Sequence, residues 1–215
     1  MTTKTKILTT LSALLAFFSA QFVLMSINTF GQYAYGMLNF WIATVITVIC
    51  TAYSYITISK HDTKHPRKHE YKYRYTLLAI GIYYLFLVIL TVILMKLGIT
   101  VQKQDNQSSI DSLFKTSAVV LVLYVTIIAP IIEELLFRYI LPKAFNFNKI
   151  AEIIAYTVGF ILFVALHMPN GITGLLTYGG MGVLFTFMRI YYDNINASIL
   201  THITWNVIVV AIMLL

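Results

Sequence analysis

Long runs of Leu, Ile, Val, Phe and Tyr, separated by short polar stretches, set the rhythm of this chain. A helix crosses a bilayer with about 20 mostly apolar residues, and the runs are of that length. Seven spanning helices are predicted: Ile7 to Phe30, about Met37 to Ile58, roughly Thr76 to Leu97, Ser117 to Leu141, about Ile150 to His167, about Ile172 to Tyr191, and about Ile195 to the end. A cleaved signal peptide is the competing reading of the first run. The Phe18-Ser19-Ala20 ending puts a bulky residue where a small one is wanted, and hydrophobicity resumes through Phe22-Val23-Leu24-Met25, so a retained span is expected. The expected fold is all-α, a polytopic transmembrane helical bundle of about seven spans. Residues 1–115 hold three spans and a basic cytoplasmic loop, and residues 116–215 hold four. No repeat, heptad or low-complexity tract is apparent. Gly179, Gly180 and Gly182 on the sixth span read as a packing face that lets a neighbouring helix approach closely.

Composition agrees with the pattern. Of the 215 residues 59% are hydrophobic and 11% charged, against about 25% charged in a soluble domain, so no sizeable soluble module fits. The net charge of +7 does not indicate nucleic acid, because the basic residues sit beside hydrophobic segments. With the N-terminus inside, Lys4, Lys6, Lys60, Lys64, Arg67, Lys68, Lys72, Arg74, Arg138, Lys143, Lys149 and Arg189 fall at inner ends, and only Lys96, Lys103 and Lys115 outside. That bias predicts a multi-pass protein of the cell membrane with a cytoplasmic N-terminus. The single cysteine, Cys50, excludes an internal disulfide and reads as an inert thiol facing the membrane. His61, His65 and His69 are spaced four apart, but Pro66 and cationic neighbours disfavour a metal there, and a solvated loop is expected.

The fourth run breaks the apolar rule. It carries Glu133, Glu134 and Arg138, and a charge near the centre of a span costs about 3 kcal/mol on insertion scales. The other polar groups within spans are few: His167 on the fifth, His202 and Asn206 on the seventh. Such groups turn inward and meet one another or line water. Glu134 and Arg138 are four apart, share a face and can pair. Glu133 is rotated about 100° away, lies over Phe137, and is left as the candidate base. His202 and Asn206 are also four apart and share a face, as do Phe163 and His167. For Glu133 and His167 to be level, the fourth helix must run past Leu141 despite Pro142, with the turn near residue 150; a stop at Leu141 would offset them by roughly 15 Å. Met168-Pro169-Asn170-Gly171 ends a helix at membrane depth, which fits a wet cavity beside His167.

A carboxylate and an imidazole within reach of one water can deprotonate it for attack on a carbonyl, and a second His with an Asn can hold the oxyanion. No serine or cysteine stands in a recognisable triad. The same residues also permit a metal reading: Glu133, His167 and His202 would give a two-His, one-carboxylate site for a divalent ion such as zinc, with an open position for water. The sequence does not choose between the two.

Glu133-Glu134-x-x-x-Arg138, then Phe163-x-x-x-His167, then His202-x-x-x-Asn206, in that order and each in its own span, resembles the CAAX-protease and bacteriocin-processing family of intramembrane peptidases, also called the Abi family. The resemblance covers about residues 115 to 215. It implies a helical membrane endopeptidase acting on peptide or membrane-protein substrates. Glu133 and His167 would activate water, His202 and Asn206 hold the oxyanion, and Glu134, Arg138 and Phe163 support them. Members have also been described as metal-dependent, which leaves the metal question open. Tyr139 departs from the Gly that many members carry after the Arg, and is expected to narrow the cavity. Where CAAX prenylation is absent, as in bacteria as a rule, the prenyl substrate is not carried over; self-immunity to a bacteriocin or peptide processing are the roles to weigh. A non-catalytic immunity or regulatory protein that binds a bacteriocin or sensor is the alternative, and a proton relay or transporter the third.

Overall fold

The computed structural model describes residues 1–27, 34–62, 69–99, 122–145 and 148–214. Seven helices make up the described chain: α1 (Thr3–Ile27), α2 (Ala34–Asp62), α3 (Tyr73–Lys96), α4 (residues 122–144), α5 (Lys149–Leu166), α6 (Gly171–Tyr192) and α7 (Ile195–Leu214). All except α4 are long and apolar enough to cross a membrane over their described length. The polar stretch from Thr100 to Lys115, His65 and the start of the predicted fourth span lie outside the described residues. The protein is a polytopic helical bundle.

Side chains sort as a bilayer demands. Leu, Ile, Phe and Val project outward from the helices, with Phe22 of α1, Ile82 of α3 and Ile150 of α5 all more than 60% exposed. The interior is mixed, and hydroxyls, carboxylates and guanidinium groups are buried there, most of them with partners.

Helices α1 and α2 pack along most of their length. The buried positions of α1 include Thr9, Ala13, Ala16, Ser19, Ala20 and Val23, and those of α2 include Phe40, Ala43, Thr47, Thr51, Ser54 and Ile58. Steps of three and four make a heptad-like seam, which corrects the reading that no heptad is present. The seam is written in side-chain size, not hydropathy, so an all-apolar run conceals it. Across it Ser19 and Thr47 hydroxyls meet at 2.8 Å and Ser12 Oγ donates to the Cys50 carbonyl at 3.1 Å.

Helix α4 does continue through Pro142 to Ala144, and the Asn148 side chain caps α5 by accepting from the Ala151 N–H at 2.9 Å. Its register is not uniform. The stretches Tyr124–Ile128 and Leu135–Ile140 are wound as π-helix, on either side of an α-helical Ala129–Glu134. Each π stretch ends one position before a residue pair containing proline, Ala129-Pro130 and Leu141-Pro142. A proline offers no N–H to the carbonyl four residues back and collides with it, and a wider turn relieves both problems.

Helices α4 and α5 approach closely at Gly159, where an added Cβ would lie 2.7 Å from the Phe137 carbonyl oxygen. The α6 glycines expected to form a packing face admit their neighbours through side chains and not backbone. Gly180 and Gly182 receive aromatic side chains, Tyr83 and Phe160, with 2.7 and 2.9 Å to the Cβ positions. From the α4–α5 crossing, Glu133 lies one turn back along α4 and His167 two turns on along antiparallel α5. Phe163 is thus level with Glu133, and His167 lies about 6 Å further, one turn and not the 15 Å of a helix ending at Leu141.

Candidate active site

Four helices surround the polar core: α4 supplies its two acids and Arg138, α5 the Phe163 ring beside them, α6 Thr186, Phe185 and the Gly182 carbonyl, and α7 Ser198 and His202. Glu134 and Arg138 are 0% and 1% exposed. Arg138 Nη1 donates to Glu134 Oε1 at 3.0 Å, the pairing their spacing predicted. The guanidinium also reaches Thr186 Oγ1 and the Gly182 carbonyl, both at 3.5 Å, and lies 4.3 Å from the Phe163 ring centre. A charge in a low-dielectric interior needs this full set of acceptors and ring faces.

Glu134 has further partners from α7. His202 Nδ1 donates to its Oε1 at 3.0 Å, and Ser198 Oγ donates to its Oε2. With Nδ1 committed to a carboxylate, His202 presents Nε2 to Glu133, whose Oε2 is 4.0 Å away. That oxygen has no hydrogen-bond partner among the described residues, although it is itself buried. The Glu133 side chain is 20% exposed, so the group opens outward at this acid. The imidazole of His202 is stacked on Phe185 at 4.2 Å, with Phe163 edge-on at 5.8 Å.

His167 and Asn206 are placed differently. His167 closes α5, its Nδ1 donating to the Phe163 carbonyl at 2.7 Å, which leaves Nε2 as an acceptor in the neutral ring. It packs on Phe163 and Tyr178 at 4.4 and 4.8 Å. Phe163 therefore separates the two histidines. Asn206 shares a face of α7 with His202 but donates to the Val125 carbonyl at 2.9 Å, in the first π stretch of α4. That bond uses one amide hydrogen, and no bond of the second is found among the described residues.

No three His, Cys, Asp or Glu side chains among the described residues converge closely enough to hold an ion. Glu133, His167 and His202 do not form the two-His, one-carboxylate site in this conformation. Each histidine bonds through Nδ1 and keeps Nε2 available, as a metal ligand would, but His167 lies a turn beyond the acid and Phe163 stands between the two rings. Tyr139 does not narrow the site either. It packs with Ile58, Leu135, Ile195 and Ile199, because one residue past Arg138 the helix has turned to another face. A groove of about 430 Å³ runs between α5 and α6 on the lipid side, lined by Phe160, Val183 and Thr186 among others, and none of the predicted site residues lines it.

Three buried groups escaped the sequence reading. Ser198 stands one turn before His202, the only signal being its place on the same face. Asp62 and Arg189 are 6% and 2% exposed; the arginine was expected only as one of the basic residues at inner helix ends, and the aspartate carried no sequence signal. They pair at 3.1 Å, Arg189 Nη1 also reaches Asp193 at 3.1 Å, and Asp62 Oδ2 accepts the Ile195 N–H at 2.8 Å at the start of α7.

Residues 115–208 match the family described as type II CAAX prenyl endopeptidase Rce1-like. The UPF0177 protein YvdC of Lactococcus lactis is 28% identical over 178 residues, which cover 81% of this chain and 66% of that protein. The membrane-embedded CAAX protease MroQ of Staphylococcus aureus is 26% identical over 178 residues, covering 80% of this chain and 70% of its own. The chain thus spans about two thirds of the length of these curated relatives. No solved structure matches. Residues 115–208 of this multi-pass membrane protein, where the two acids, the arginine, both histidines and the asparagine all fall, are thus similar to the Rce1-like family of type II CAAX prenyl endopeptidases.

Proposed function

We propose that the protein is an intramembrane endopeptidase that hydrolyses peptide bonds with water activated at Glu133. The observation that carries this reading is the unpartnered, buried Glu133 Oε2 facing His202 Nε2 across 4.0 Å. That span is too long for a direct hydrogen bond and suits one water touching both groups. The reaction requires Glu133 as the carboxylate and His202 with a hydrogen on each nitrogen, a state in which the charges of Glu133, Glu134, Arg138 and His202 sum to zero.

In the proposed reaction the water oxygen attacks the carbonyl carbon while Glu133 takes the water proton. The oxyanion is met by the His202 Nε2–H and the second amide hydrogen of Asn206. Collapse of the tetrahedral species breaks the C–N bond as the proton held on Glu133 passes to the leaving nitrogen. His167 Nε2 contributes from one turn beyond, past Phe163. Glu134 orients His202 and keeps the imidazolium balanced, while Arg138 balances Glu134. The substrates are peptides or membrane proteins reached within the bilayer, in processing or in self-immunity to a bacteriocin.

Glu133→Gln and His202→Ala are the decisive substitutions. Purified variants in lipid nanodiscs, offered a pool of internally quenched fluorescent peptides, are expected to lose all cleavage while inserting as the parent does. A protein that acts only by binding would tolerate both changes, and retained cleavage by either variant sinks the reading.

A further inference from the structure

Outside the proposed active site, the described residues hold one other buried ionic group, and it touches the motif helix. Arg189 of α6 carries Asp62 on Nη2, Asp193 on Nη1, and donates from Nε to the carbonyl of Arg138 at 3.4 Å. The choice of carbonyl is informative. In an α-helix the Arg138 oxygen would take the N–H four residues on, but that residue is Pro142 and has none. The π-wound stretch Leu135–Ile140 surrounds the same carbonyl. A buried carbonyl needs a donor, and here a side chain on another helix supplies it.

The far end of the motif is treated in the same way. Val125, in the other π stretch, gives its carbonyl to Asn206 of α7. The α-helical segment Ala129–Glu134, which carries both acids, is thus gripped on either side by side chains from α6 and α7. Asp62 links the two grips. It holds Arg189 with one oxygen and the first N–H of α7 with the other, one turn before Ser198 and two before His202.

We infer that Arg189, locked by Asp62, is a positioning residue: it sets the register of α4 against α7, and so the distance from Glu133 and Glu134 to His202. This rests on the peptidase reading for its consequence in catalysis, but not for its structural content. Arg is required and a plain cation is not enough. Lysine would satisfy Asp62 and Asp193 with its single ammonium and could not also supply the planar third donor to the Arg138 carbonyl.

The test is Arg189→Lys in the full chain, with Asp62→Asn as the second variant, since Asn keeps an acceptor for the Ile195 N–H while releasing Arg189. Two readouts are taken in lipid bicelles. The first is the imidazole ¹⁵N resonances of His202, assigned by their loss in His202→Gln; they report the bond to Glu134 and need no substrate. The second is kcat and KM on the best-cleaved peptide of the quenched pool. Arg189→Lys is expected to shift the His202 resonances and lower kcat about tenfold to a hundredfold, with KM and melting temperature held, because small misplacement of reacting groups costs rates of that order. Asp62→Asn is expected to act in the same direction. Unmoved His202 resonances overturn the inference, as does an unchanged kcat or a loss of folded protein in both variants. If the parent cleaves no peptide, the peptidase reading fails and the resonances alone decide the positioning role.

Discussion

Adjacent acids on one helix have opposite surroundings. Glu134 is enclosed and accepts from Arg138, His202 and Ser198, whereas Glu133, one residue earlier, has an oxygen with no hydrogen bond among the described residues and faces His202 at a distance. Enclosure makes the partners of Glu134 costly to remove. Arg138→Met leaves a buried carboxylate without its counter-charge and is predicted to cost about 3–5 kcal/mol, seen as a fall in the melting temperature of the detergent-solubilised protein. Ser198→Ala removes one donor to a charged acceptor and is predicted to cost about 1.5–3 kcal/mol in the same measurement. Its effect on cleavage should appear in kcat more than in KM, since Ser198 holds the acid that orients His202 and is itself fully buried. Sequence spacing alone identified the Glu134–Arg138 pair, because both residues lie on one helix. Ser198 could not be found that way, because its partner is on another helix and a serine in a span is usually a packing residue.

At the scale of helices, contact is decided by small residues and by proline. Gly159 lets α5 lie against the Phe137 carbonyl, and Gly159→Ala places a methyl 2.7 Å from that oxygen. Backbone cannot swing aside as a side chain can, so α4 and α5 must separate. A loss of about 1–3 kcal/mol is predicted, with reduced cleavage because the crossing sets the level of Phe163 and His167 against Glu133. Gly81 of α3 is the control. Nothing lies within 4 Å of its added Cβ, so Gly81→Ala is predicted to raise the melting temperature slightly, by about 0.5–1 kcal/mol of helix propensity. Where they fall among the described residues, the helix boundaries lie within a few residues of those expected from hydropathy. The π stretches were not foreseen: Pro130 and Pro142 mark where the α register fails, but which wider turn replaces it depends on donors brought by α6 and α7.

For the whole molecule, the bilayer is the solvent that explains the arrangement, with exposed Leu, Ile and Phe outside and paired charges within. The Asp62–Arg189 group and the Glu134–Arg138 group are both interior, so two of the inner-end basic residues counted for orientation are structural. Ten other basic residues remain on that side against three, and the proposed orientation is unaffected. It predicts that in a Cys50→Ala background a cysteine at Glu70, in the basic segment before α3, reacts with a membrane-impermeant maleimide only after the cells are opened. A cysteine at Leu97, exposed at the other end of α3, should react in intact cells. Labelling in the opposite order reverses the topology and places the site nearer the other face.

The sequence by itself determined that the chain is a bundle of membrane-crossing helices, where each helix lies, and which polar residues share a helical face. Those are one-dimensional properties: a run of about 20 apolar residues must be helical in lipid, and residues four apart must project together. Only the tertiary structure decided that His202 turns one nitrogen to Glu134 and the other to Glu133, that Asn206 and Arg189 grip carbonyls of α4, that α1 and α2 join through a seam of small residues, and that Tyr139 faces away from the site. Each of these depends on which helices are neighbours and at what height. In an all-apolar chain hydropathy is nearly uniform around each helix, so it carries no information about which side meets which. Size complementarity, prolines and the obligation to satisfy buried donors and acceptors choose the neighbours, and those constraints exist only between helices already brought together.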